Sequence, residues 1–150
     1  MQLRKIVEQD YEGWLQLWQG YQAFYKVSLS PELSQLTFSR LLDDRAEMGG
    51  FVIQRDQELI GLVHYIFHHS TWTEGNYCYL QDLFVKHESR SQGLGKQLIE
   101  AVYTEAKKQN CSRVYWLTHE TNYPARVLYD QLADNTGFIQ SGSHFYEVIN

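Results

Sequence analysis

Basic residues are scarce in this chain. Thirteen Lys and Arg stand against 18 Asp and Glu, giving a net charge of −5 at pH 7. That balance argues against DNA or RNA as the main partner, because a phosphate backbone calls for a basic surface. It suits a cationic partner instead, such as a polyamine, a lysine-rich segment or an amino sugar. Cysteine is almost absent: Cys78 and Cys111 make neither a disulfide scaffold nor a metal cage, and fit a reducing cytoplasm. No apolar run approaches the ~18 residues of a membrane span. The segment Met1–Lys5 lacks the apolar stretch of a signal peptide, so the sequon Asn110-Cys111-Ser112 carries no meaning. Repeats, low-complexity tracts and linkers are missing too, and the length points to a single domain over residues 1–150. What the chain has in plenty is aromatic side chains, with four Trp, eleven Tyr and seven Phe.

The densest chemical signal lies in Leu80-Gln81-Asp82-Leu83-Phe84-Val85 followed by Arg90-Ser91-Gln92-Gly93-Leu94-Gly95-Lys96. It reads as a buried strand, a short polar loop and a helix opened by glycine. Glycines let the backbone approach a ligand closely, and the first N–H groups of a helix point unpaired at an anion. Arg90 adds a fixed cation beside that nest. A dinucleotide fingerprint is excluded, because Leu98 stands where its third glycine belongs. A P-loop is excluded as well, since the glycines are one residue apart and Gln97 follows Lys96.

Arg-x-x-Gly-x-Gly after an apolar strand resembles the acetyl-coenzyme A pyrophosphate loop of the GNAT N-acetyltransferase superfamily. The downstream order agrees. Leu94, Leu98, Val102 and Ala106, widened by Ile99 and Tyr103, predict a helix from Gly93 to about Lys108, closed by Asn110. Val114-Tyr115-Trp116-Leu117-Thr118 reads as a buried strand. A second amphipathic helix follows Asn122, with Pro124 in its first turn and Ala125, Leu128, Tyr129, Leu132 and Ala133 on one face. Gly137-Phe138-Ile139 then resumes extended structure. That succession, roughly residues 77 to 140, is the order of the superfamily's core motifs.

Upstream, Leu3–Val7 predicts a strand and Tyr11, Trp14, Leu15, Trp18 and Tyr21 a helix. Pro31–Leu42 predicts a second helix, and Phe51–Ile53 with Leu59–Phe67 a hairpin turning at Arg55-Asp56-Gln57. The fold expected is a mixed α/β one: a twisted central sheet of six to seven strands flanked by about four helices.

The resemblance implies direct transfer from acetyl-coenzyme A to a primary amine, without a metal. Leu83, Phe84 and Val85 match the backbone that binds the pantetheine arm, with Val85 N–H as oxyanion donor. The nest Arg90, Ser91, Gln92, Gly93, Leu94, Gly95 and Lys96 matches the pyrophosphate site. Asn122 matches a contact to the arm, and Tyr129 the general acid, a phenol that is neutral at physiological pH. Tyr129 lies on an apolar helix face, where a tyrosine is ordinarily plain core. Its spacing from Asn122 and Ala125 favours the chemical role.

The segment Tyr79-Leu80-x-Asp82-x-Phe84-Val85 resembles spermidine/spermine acetyltransferases, which carry a glutamate where this chain has Gln81. Gln81 and Asp82 are left to position the amine or a water, and Asp82, Glu120, His64 or His119 to take the proton through water. His64, Ile66 and His68 share a strand face, and read as a polar wall of the acceptor groove or as plain surface rather than as metal ligands. Tyr21, Phe24 and Tyr25 line the acceptor entrance, where aromatics favour cations, or pack a helix end on the sheet. The acceptor set is thus Tyr21, Tyr25, His64, Asp82 and Glu120. A polyamine-like acceptor competes with a protein lysine or N-terminus, and the absent glutamate leaves room for a non-catalytic acetyl-coenzyme A sensor. In the resembled branch strands like the terminal apolar segment His144–Ile149 take part in dimer contacts, so the resemblance implies a homodimer; a bare edge strand would invite pairing.

Overall fold

The structure, a computed structural model, describes residues 1–118 and 123–134. Its elements run β1 (Gln2–Lys5), α1 (Tyr11–Phe24), α2 (Pro31–Leu42), β2 (Met48–Arg55), β3 (Glu58–His68), β4 (Tyr77–Val85), α3 (Leu94–Lys108), β5 (Arg113–Tyr115) and α4 (Tyr123–Leu132). The strands form one sheet in the order β1-β2-β3-β4-β5. Its first three pairings are antiparallel, and β4 with β5, joined through α3, is parallel. Five strands among the described residues fall short of the expected six to seven, and the expected strands at 137–139 and 144–149 lie outside those residues. No helix of the described residues is long and apolar enough to cross a membrane.

Local chemistry sets the element ends. Ser30 caps α2, its hydroxyl accepting from Leu33 N–H at 3.1 Å, and Pro31 occupies the first turn, where its missing N–H costs nothing. Gln22, buried on α1, accepts from Leu29 N–H at 2.9 Å and so ties down the loop between α1 and α2. Asp56 takes a positive φ of 56° at the tip of the β2–β3 hairpin.

Alternation along the strands sends apolar side chains into two cores. On one face Phe51, Ile53, Val63, Tyr65, Cys78 and Leu80 pack against Leu94, Leu98, Ile99 and Val102 of α3. On the other, Val52, Leu59 and Leu62 meet Trp14, Leu17 and Trp18 of α1 and Phe38 and Leu41 of α2. Each wholly buried aliphatic or aromatic side chain contributes roughly 1.5–3 kcal/mol.

One irregularity decides the site. His64 pairs with Asp82 but Tyr65 pairs with Leu80, so Gln81 is an extra residue on β4. Such a bulge shifts the strand's alternation by one residue. Before it, Cys78 and Leu80 face α3; after it, Leu83 and Val85 do, while Phe84 joins the α1 core. Asp82 is thereby turned into the α1 side, beside His64.

Candidate functional site

Among the described residues, strands β4 and β5 pair only at Tyr77↔Arg113, Cys78↔Val114 and Tyr79↔Tyr115. From Leu80 to Val85 the β4 edge has no β5 partner, so its backbone groups open into a gap. A cleft of about 410 Å³ lies there, between the end of α1, the end of β4, the start of α3 and one face of α4. It lies where the carboxyl end of β4, parallel to β5, meets the helix that follows it, the usual place for a ligand beside a parallel pair.

The floor at α3 is built for an anion. Ser91 and Gly93 take positive φ angles of 64° and 76°, which turns successive amides toward one side. The first hydrogen bond of α3 is Gln97 N–H to Gly93 carbonyl at 3.2 Å, so the amides of Leu94, Gly95 and Lys96 precede it without an intrahelical acceptor. Gly95 permits the close meeting of three elements: a Cβ there would stand 3.3 Å from Leu128 of α4 and 4.0 Å from Leu83 of β4. Lys96, half-exposed, faces Glu100 at 3.9 Å. Arg90 folds back so that its Nε donates to Val85 carbonyl at 2.9 Å, with the guanidinium 5.6 Å from the Phe24 ring and 5.5 Å from the Phe84 ring. Donors, cations and shape therefore fit the pyrophosphate and extended arm of a coenzyme A thioester.

Of the residues expected to bind the cofactor, Leu83, Phe84, Val85, Arg90, Ser91, Gly93, Leu94, Gly95, Lys96 and Tyr129 line this cleft. Gln92 does not: its side chain accepts from Arg55 Nη2 at 2.8 Å, away from the nest. Asn122, Glu120 and His119 lie outside the described residues. Tyr129 reaches the cleft from α4, its ring 5.3 Å from that of Trp116. Burial, and then the neighbouring Tyr25, push its phenol up to about 12.

The second half of the site is a buried carboxylate. Asp82 Oδ2 stands 2.9 Å from His64 Nδ1, and His64 Nε2 accepts from Trp14 Nε1–H, also at 2.9 Å. His64 is 2 % exposed, which overturns its reading as plain surface strand: the strand's inner face, shielded by α1, holds it. Around Asp82 stand phenols of α1 and β4. Tyr21 is raised by burial and then by the charge of and hydrogen bond to Asp82; Tyr25 and Tyr79 are raised by burial and then by the same charge. The Tyr21 and Tyr25 rings lie 4.8 Å apart. Tyr25 belongs to both halves, because it lines the cleft as well. Gln81, the bulged residue, is exposed and stays outside this cluster. No group of three or more potential metal ligands occurs among the described residues.

Sequence reasoning missed Trp14, which it read only as one of the residues marking a helix, and Tyr79 as a neighbour of the carboxylate. Gly20 was missed for a different reason. A Cβ at that position would be 2.9 Å from the Phe84 ring, so its absence lets α1 close on β4. A second hollow of about 450 Å³, lined by Glu74, Gly75, Asn76, Gln109 and Asn110, offers neither cation nor aromatic surface.

Comparison with known proteins agrees with this geometry. The profile of the acetyltransferase (GNAT) family matches residues 14–133. The D-amino-acid N-acetyltransferase HPA3 of Saccharomyces cerevisiae is 34% identical over 136 residues, spanning 89% of this chain and 84% of that protein. A thialysine N-epsilon-acetyltransferase of Bos taurus is 36% identical over 74 residues, 49% of this chain and 43% of that protein. Among solved structures, a probable acetyltransferase superposes with a TM-score of 0.84 at 20% identity, over 98% of this chain and 99% of that one. The aminoglycoside N-acetyltransferase AAC(6')-Iy in complex with CoA does so with a TM-score of 0.77 at 18% identity, over 95% and 98%. The chain belongs to the acetyltransferase (GNAT) family and is an acetyl-coenzyme A-dependent N-acetyltransferase.

Proposed function

We propose that this enzyme acetylates a small, polyamine-like primary amine whose ammonium group is held by Asp82. The observation that carries the reading is the buried carboxylate itself, one oxygen tied to His64 and the surroundings furnished by Tyr21, Tyr25 and Tyr79. A desolvated anion among aromatic rings selects a cation, through charge and through the ring faces. The two relatives are named for amines carried on amino acids, which supports a small acceptor over a protein tail.

In this reading acetyl-coenzyme A brings an already activated acetyl group, so the enzyme positions rather than forms a covalent link. The nest from Arg90 to Lys96 holds the pyrophosphate, and the unpaired β4 edge from Leu83 to Val85 holds the arm. Arg90 keeps its Nε on the Val85 carbonyl and has the N–H groups of its two terminal nitrogens left for the phosphate. The nitrogen that attacks is a neutral amine of the acceptor, distinct from the ammonium at Asp82. The Val85 N–H polarises the carbonyl it attacks, and the proton it sheds on forming the amide leaves through water. Tyr129, with its phenol at about 12, is protonated at every working pH and donates to the departing sulfur. Full transfer to a thiolate of ordinary basicity, about 8.5, is uphill, so Tyr129 acts first as a hydrogen-bond donor.

Coenzyme A release, followed with spermidine, short diamines, a thialysine-like amino acid, D-amino acids and a lysine-rich peptide, tests the proposal. Turnover concentrated on the diamines and polyamines supports it. Turnover confined to the peptide would assign a protein acceptor and sink the small-amine reading. The same enzyme run through light scattering shows whether it is the homodimer that the resemblance implies.

A further inference from the structure

Trp14, His64 and Asp82 come from α1, β3 and β4, and form one buried chain of hydrogen bonds. An indole N–H can only donate, so the Trp14 bond at 2.9 Å makes His64 Nε2 an acceptor. The ring is then neutral, with its hydrogen on Nδ1, and that hydrogen goes to Asp82 Oδ2 at 2.9 Å. A second hydrogen, on Nε2, would meet the indole N–H donor to donor, with no acceptor between them. Trp14 is fully buried, and Trp18 packs its ring on the imidazole at 5.1 Å, so neither partner has room to turn away.

We infer that Trp14 and His64 are positioning residues for the acceptor: the indole locks the imidazole as its neutral Nδ1–H form, which aims Asp82 while leaving its charge to the substrate ammonium. The inference rests on the reading of Asp82 as the acceptor site. An imidazolium in the same place would pair with Asp82, cancel its charge and repel the incoming cation. A core position alone needs only a large apolar ring, which Phe supplies; an N–H aimed at Nε2 is what sets the tautomer.

The other titratable groups that face this pair are neutral phenols. Tyr21 approaches from α1, Tyr25 from the turn just after it and Tyr79 from β4, each raised by burial and then by Asp82. From β2 the imidazole meets Gly50, whose missing side chain leaves space for the ring. The charge at Asp82 is therefore governed by the His64 tautomer among the described residues.

Trp14→Phe keeps a ring and removes the N–H. The ratio of its acceptor KM to that of wild type is measured from pH 5.5 to 9. The expected ratio is near one at alkaline pH and climbs about tenfold toward pH 5.5, because an imidazole freed from the indole N–H can take a second proton on Nε2. The acetyl-coenzyme A KM stays put. A ratio that is flat with pH overturns the inference, because a merely structural loss has no reason to follow imidazole protonation. Should Trp14→Phe fail to fold, nitrogen NMR of wild type at pH 7.5 decides: Nδ1–H with a bare Nε2 supports the lock, and the reverse tautomer refutes it. Asp82→Asn run beside these separates the two levels. If that variant keeps the wild-type acceptor KM, the acceptor site itself is misassigned; if it loses it while the ratio stays flat, only the lock fails.

Discussion

The two faces of the sheet are built from different materials. The α3 face has Phe51 and Tyr65 in it, but its wholly buried side chains are mainly aliphatic, among them Ile53, Val63, Leu98, Ile99 and Val102. The α1 face carries Trp14, Trp18 and Phe38, and among them the polar pair His64 and Asp82. Aliphatic packing offers stability without polar cost, whereas a buried polar pair is tolerated only when its hydrogen bonds are made. The α3 face holds the molecule together and lends its helix N-terminus to phosphate. The α1 face stores a charge. Substitutions should therefore split into those that unfold the protein and those that disable one substrate.

The largest effect expected is on the α1 face. Asp82→Asn keeps shape and removes charge, and should lower acceptor kcat/KM by about 10³-fold, as when a buried charge pair loses a partner. Its melting temperature should move little. On the opposite face, Leu98→Ala leaves a cavity and should cost about 3 kcal/mol in urea titration, with both KM values of the folded fraction unchanged. Tyr129→Phe lies between the two and should lower kcat by roughly 10²-fold, the lower range for lost proton donation. Because its phenol sits at about 12, wild-type kcat should show no falling limb assignable to Tyr129 below pH ~11. A limb near pH 8 that vanishes in the variant would contradict that.

The smallest effect lies away from both substrates. Burial alone would raise Asp10, but its bonds to Arg4 and to Val7 N–H outweigh this and hold it below the usual carboxylate range. A carboxylate lowered on folding adds stability above its unfolded value of about 3.9, and that stability is lost as pH falls through the folded value. Asp10→Asn should thus cost about 2 kcal/mol in urea melts at pH 7, with a gap that shrinks at pH ~2.5. A gap equal at both pH values would show that the charge plays no part.

Much of this was legible in the chain. Pro31–Leu42 is the observed second helix to the residue, because Ser30, Pro31 and the apolar spacing act locally. Gly93 and the run to Lys108 announced α3 for the same reason, a positive-φ cap followed by a helical stripe. The phosphate nest was readable because all its donors are adjacent in sequence. The acceptor side was not, since Trp14, His64 and Asp82 are brought together only by pairing over long separations. The bulge at Gln81 has no sequence mark: neither glycine nor proline signals it, and its register follows from what β3 can bury opposite. Without the bulge, Asp82 would face α3 and Gln81 the aromatic cluster, which is why sequence reading kept the two residues side by side as equals.

The central claim is that separate groups, meeting at Tyr25, hold the two substrates. Calorimetric titration of coenzyme A, and separately of the best acceptor amine, into wild type and Asp82→Asn tests it most directly. The account predicts a coenzyme A Kd unchanged within about twofold, and amine binding weakened by about 100-fold or more. Loss of both ligands together, or of neither, would contradict it.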